Sequence, residues 1–199
     1  LDFILPTLVV MIIMFVSILL ASTLIISEKI SKAHFRNFIT PTNDFVFILG
    51  TFLTAIIIIL IQLVVFLGIS SFFINTNLID NLLHTSVIML SVISLFTLIG
   101  MLVGYLFASE ETSILASISF SSLALFFSNT VLPIESMPTT IQNIAFFNPF
   151  VISEFMLKRS ILFETQIPAL LNDFYYVLAY IGVVLIIVIL AQKFSRKFI

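Results

Sequence analysis

Few residues in this sequence have the type and spacing that chemistry requires. The adjacent carboxylates of Glu110 and Glu111 could act as an acid and base pair, but no nucleophile, metal ligand or further base stands near them to complete a site. Ser109 just before them suits a helix cap, and acidic side chains in a first turn face the positive end of the helix dipole. His34 and His84 are expected on opposite sides of a membrane and cannot share a metal, and there is no cysteine, so disulfides, thiol nucleophiles and zinc–thiolate sites are all excluded. Charge concentrates instead in the connector 27–44, where Glu28 is followed by Lys29, Lys32 and Arg36, three of the eight Lys and Arg residues in the chain. A helix from Glu28 to Thr40 would stack those cations at i, i+3 and i+7 and cover its other side with Ile30, Phe35, Phe38 and Ile39. On the residues alone, such a helix fits a groove on a partner protein as well as it fits an anionic lipid surface.

The elements that position this connector are spans. Of 199 residues, 61% are hydrophobic and 9% charged, with a mean hydropathy of +1.29, far from the roughly one quarter charged of a soluble domain. Backbone groups in hydrocarbon must bond internally, and the alternation of a strand barrel is absent, so the expected fold is an all-α, polytopic membrane helix bundle forming one domain over 1–199. A span takes about 20 apolar residues, and ionisable residues mark its ends. This predicts about five spans, at 3–26, 45–74, 85–108, 112–132 and 174–192, with an insert at 133–173. The net charge of −2 gives no reason to expect nucleic acid as a partner. The start at Leu1-Asp2-Phe3, without a basic leader, reads as a chain truncated at its N-terminus.

The connector and the tail with Lys193, Arg196 and Lys197 fall on the same side of an odd number of spans. The excess of cations there predicts that this side is cytoplasmic and that Leu1 is extracytoplasmic, in a cell (plasma) membrane protein. No acidic or basic residue stands in mid-span, which argues against a proton relay or a charged ion pathway. Gly100, Gly104 and Ala108 form a small-residue ridge, and Ser113, Ser117 and Ser121 a hydroxyl ribbon; helix packing is favoured over a pathway lining for both. Gln62, an amide inside the second span, calls for an interhelical partner more than for a ligand.

The insert is broken by Pro133 and Pro138 around Met137. A short helix is expected at 139–147, stopped by Asn148-Pro149, then an amphipathic helix at 150–162 with Glu154, Lys158 and Arg159 near one edge. Prolines around a short helix after a span predict a re-entrant or interfacial element, which caps the bundle or gates it.

In three blocks the sequence resembles the permeases of type-2 ABC exporters, and the likeness covers nearly the whole chain. The first block is Glu28, Arg36-Asn37-Phe38, Pro41 and Gly50-Thr51, and the second is Ser109-Glu110-Glu111-Thr112 with the small-residue helix after it. The third runs from Leu132-Pro133-Ile134-Glu135-Ser136-Met137-Pro138 through Gln142 and Asn148-Pro149 to Arg159. Thr51 stands where the family often has Lys, and Asn129 near a common Gly. The resemblance implies a coupling helix, with Glu28, Lys29, Lys32, Phe35, Arg36, Phe38 and Pro41 facing a cytosolic ABC ATPase subunit. It also implies an exit segment built on Pro133, Met137, Pro138, Gln142, Pro149 and Arg159. A second permease half, as a homo- or heterodimer, is implied as well. The chain has no phosphate loop, so it is not expected to be an enzyme and binds no cofactor itself; ATP and magnesium belong on the partner subunit. The expected function is outward transport of an apolar or amphipathic drug, lipid or glycan. An ATP-independent transporter or channel and a membrane-embedded lipid-modifying enzyme are the alternatives.

Overall fold

A computed structural model of the protein describes residues 4–30, 44–70, 82–130, 136, 138–163, 165 and 167–195. Among them are seven α-helices and no strand: α1 (Leu5–Ile30), α2 (Asp44–Ser70), α3 (Leu82–Leu106), α4 (Glu110–Phe126), α5 (Thr139–Phe146), α6 (Pro149–Leu162) and α7 (Leu171–Ser195), the last entered through a 3₁₀ turn at Ile167–Leu170. Four of these, α1, α2, α3 and α7, are long and apolar enough to cross a membrane. The protein is therefore a multi-pass helical bundle. The segment expected as the fourth span, 112–132, is α4, which has 17 residues and rises only about 25 Å.

The spans differ in how much of their surface the bundle covers. In α3, 72% of the apolar window is buried, against 22% in α2 and 11% in α7. Leu53, Ile57, Ile61 and Val64 of α2 and Val183, Ile186 and Leu190 of α7 are exposed, as expected for side chains whose solvent is lipid. The core is drawn from α1 (Val9, Val10, Ile13, Met14, Ile18, Ala21, Ile25) and α3 (Ile88, Val92, Ile93, Phe96, Leu98), joined by Phe150 and Met156 of α6. Besides α3, α1 also packs on α2, α4 and α6, which makes it the central rod of the fold.

The seam between α1 and α3 is unusually close because two of α3's residues lack a side chain. A Cβ on Gly100 would lie 2.6 Å from the Ile18 carbonyl oxygen, and one on Gly104 would lie 2.7 Å from Ile25 Cβ and 2.8 Å from the Ser22 carbonyl oxygen. The small-residue ridge thus lets two backbones meet, as packing in lipid favours.

Candidate functional site

The root of the connector is held by two side chains. α1 continues four residues past the end expected at 26, so Glu28 and Lys29 belong to its last turn. Thr51 Oγ1 in α2 donates to Glu28 Oε1 at 3.0 Å. Lys29 Nζ donates to the carbonyl oxygens of Gly104 (2.8 Å), Tyr105 (3.0 Å) and Phe107 (3.2 Å), and lies 5.5 Å from the centre of the Tyr105 ring. The last carbonyls of a helix have no partner inside it and carry the negative end of its dipole, so one ammonium satisfies three acceptors where α3 ends. Lys29 therefore turns inward onto α3, where the sequence places it on a basic stripe. Lys32, Phe35, Arg36, Phe38 and Pro41 lie outside the described residues.

At the turn beyond α3, Ser109 caps α4 by accepting from the Thr112 amide at 3.3 Å, with Glu110 and Glu111 exposed in the first turn. Among the described residues, no group of three or more acidic, histidine or cysteine side chains could hold a metal ion. Along α4, Ser113, Ser117 and Ser121 are all buried. Ser117 shares a hydrogen bond of 2.9 Å with Ser22 of α1, and Ser121 donates to the Ser117 carbonyl. The Ser113 hydroxyl has no hydrogen-bond partner among the described residues. Gln62 is exposed on α2 at the edge of a shallow cleft beside Ile13 and Val16 of α1.

The insert is fastened to four other helices at the opposite end of the bundle. Asn148 joins two helix ends through one amide group. Its Nδ2 donates to the carbonyl oxygens of Ala124 (2.6 Å) and Phe127 (3.0 Å), and its Oδ1 accepts from the Phe150 amide at 3.0 Å. The first pair of bonds satisfies α4's terminal carbonyls, which explains why that helix stops at Phe126. The third caps α6, whose first residue is Pro149, a position where the missing amide hydrogen costs nothing.

α6 then meets α1 and α3 through polar pairs. Thr7 Oγ1 donates to Glu154 Oε1 at 2.7 Å, Lys158 Nζ reaches the same oxygen at 2.6 Å, and Glu154 is only 4% exposed. Thr85 and Ser160 hydroxyls lie 2.9 Å apart. Arg159, in the last turn, stands 3.9 Å from Asp173 of α7 and 5.1 Å from the centre of the Phe155 ring. From α7, Tyr180 Oη donates to the Phe147 carbonyl.

Of the residues expected in the exit segment, Pro133 and Met137 lie outside the described residues. The Pro138 carbonyl accepts from the Ile141 and Gln142 amides, starting α5, which carries Gln142 half-buried. The expected helices at 139–147 and 150–162 correspond to α5 and α6. Sequence reasoning missed Thr7, Thr85, Tyr180 and the linking role of Asn148. It also placed Glu154 at the edge of its helix, whereas the carboxylate is buried. Their one signal was a capping residue directly before a proline, at Asn148-Pro149.

The two ends of α1 thus carry the two polar systems: Glu28 and Lys29 at one, Thr7 at the other. Thr7 and Glu28 stand 21 residues apart along the rod, which therefore links points about 32 Å apart. No curated protein and no solved structure matches the chain. Residues 1–190 match the family model described as ABC-2 family transporter protein, and the chain belongs to that family of membrane permeases.

Proposed function

We propose that this permease is the membrane half of an ATP-driven exporter, in which a separate cytosolic ATPase subunit bears on the connector and two permease halves open outward. The observation that carries this reading is the pair of fastenings on α1. A push on the connector is received by Glu28 and Lys29, which are bonded to α2 and α3. The same rod ends at the Thr7–Glu154 bond, so its displacement acts on α6 without an intervening loop. A rigid element with polar contacts at both ends moves as one body, and such rigid-body motion is a standard way to relay a binding event.

In this reading the connector and the C-terminal tail are cytoplasmic and the insert is extracytoplasmic, following the cation distribution. Lys32 and Arg36 with the apolar Phe35 and Phe38 supply the docking helix, Glu28 and Lys29 root it in the bundle, and Pro41 gives its return to the membrane. ATP and magnesium act on the partner, since this chain has no phosphate-binding loop. The segment with Pro133, Met137, Pro138, Gln142, Pro149 and Arg159 closes the exit. The cargo is apolar or amphipathic, in keeping with a bundle without mid-span charge.

Purification in mild detergent with the cognate ATPase subunit tests the assignment. The expected result is a stable complex that Arg36→Glu weakens, with Glu28→Ala reducing ATP-dependent transport. Failure of any ATPase subunit to associate, or association and transport intact in both variants, refutes the coupling role.

A further inference from the structure

One cavity, bounded by the Arg159–Asp173 and Tyr180–Phe147 contacts, has a composition of its own. It lies between α5, α6 and the first turns of α7, holds about 360 Å³, and is lined by Phe146, Phe147, Phe155, Tyr176 and Asp173, with Val151 and Ile152 at its base. Asp173 stands in the first turn of α7, where the apolar run begins, so the cavity is level with the boundary between hydrocarbon and headgroups. Exposed aromatic side chains are common at that depth simply as interfacial anchors. Anchors alone do not require a concave site with a carboxylate in its wall and a guanidinium beside it.

The two charges are arranged for a ligand that carries both signs. Arg159 and Asp173 are 3.9 Å apart, too far for a hydrogen bond, and both side chains are partly exposed, at 42% and 28%. Each keeps donor or acceptor capacity for a third party. Arg159 is held over the Phe155 ring, and the Tyr180 hydroxyl fixes the Phe147 carbonyl, so the wall is in place before anything binds. Ring faces together with a carboxylate favour an ammonium group. A guanidinium suits a phosphate and can bind it through two parallel hydrogen bonds. The remaining cation of this end, Lys158, is committed to Glu154 and adds no net positive field for an anionic lipid.

We propose that this cavity holds the headgroup of a zwitterionic phospholipid, with its ammonium between the aromatic faces and Asp173 and its phosphate on Arg159. The acyl chains would run along the exposed apolar face of α7 that continues from Tyr176, past Val183, Ile187 and Leu190. The site does not depend on what the permease transports, or on whether an ATPase drives it.

Native mass spectrometry of the detergent-purified protein, equilibrated with equal amounts of phosphatidylethanolamine and phosphatidylglycerol, reads the bound lipid directly. The expected result is preferential retention of phosphatidylethanolamine. Retention should fall about tenfold in Asp173→Asn and in Tyr176→Ala and return in Asp173→Glu. Equal retention of the two lipids by the unsubstituted protein, or an unchanged preference in both variants, overturns the proposal. Loss of lipid together with a change in the number of chains per particle also overturns it, because a second copy would then be what covers the cavity.

Discussion

Adding one methyl group to α3 should have opposite effects from adding it to α7. In Gly100→Ala the new Cβ would sit 2.6 Å from the Ile18 carbonyl oxygen, 2.7 Å from Ile18 Cα and 2.9 Å from Ala21 Cβ. Ordinary contact begins near 3.4 Å, so the closest approach is about 0.8 Å too short. Two of the three obstructing atoms are backbone and cannot rotate away, so relief requires α1 and α3 to separate along their tightest seam. Overpacking of this kind costs about 1–3 kcal/mol, partly offset by the better helix propensity of Ala, worth about 0.5–1 kcal/mol. At Gly182 a Cβ would meet nothing within 4 Å, and only the propensity term applies. Gly182→Ala should therefore be neutral or more stable by up to about 1 kcal/mol, while Gly100→Ala loses about 1–2 kcal/mol. Reversible unfolding in mixed micelles, followed by circular dichroism, measures both on one scale. Equal stabilisation by the two substitutions would show that α1 and α3 do not approach as described.

Two further outcomes follow from the polar contacts. Asn148→Ala removes an N-cap and leaves the Ala124 and Phe127 carbonyls without their donor, so stability should drop by about 2–4 kcal/mol, and protease cleavage within 139–163 should rise. Asn148→Asp keeps the cap but not the donor, and its cleavage rate should fall between those of the other two. Ser117→Ala breaks the bond to Ser22 and should cost about 0.6–2 kcal/mol, whereas Ser113→Ala removes a buried hydroxyl that has no partner among the described residues and should be neutral or stabilising by the same unfolding measurement.

Periodicity and punctuation carried most of the secondary structure. Long apolar runs announced the spans, Ser109 announced the start of α4, and Asn148-Pro149 announced the break between α5 and α6, because each depends on neighbours within a few residues. The Gly100 and Gly104 ridge was legible as a close contact, though not as a contact with α1. The direction of Lys29 and the burial of Glu154 were not legible, because each depends on a helix far away in sequence. A helix wheel places Glu154 among the charges of its own helix; only the approach of α1 turns that position into an interior one. The length of α4 was misjudged for a related reason. Val131 and Leu132 follow Ser128-Asn129-Thr130 and extend the apolar count, but the last carbonyls of α4 are taken by a side chain that follows 21 residues after Phe127.

The Thr7–Glu154 bond also orders the protein's biosynthesis. Its two partners are 147 residues apart. At ordinary rates of synthesis, the hydroxyl waits about 7–30 s for its carboxylate. Over that interval α1 is held in the bilayer by its own hydrophobicity, which an unpaired threonine barely disturbs. Glu154 has no such latitude, since a carboxylate reaching the hydrocarbon before its partners would be costly to place. The α1 rod must therefore already stand in the membrane as a template when the insert emerges, so that the carboxylate meets its hydroxyl as soon as α6 packs.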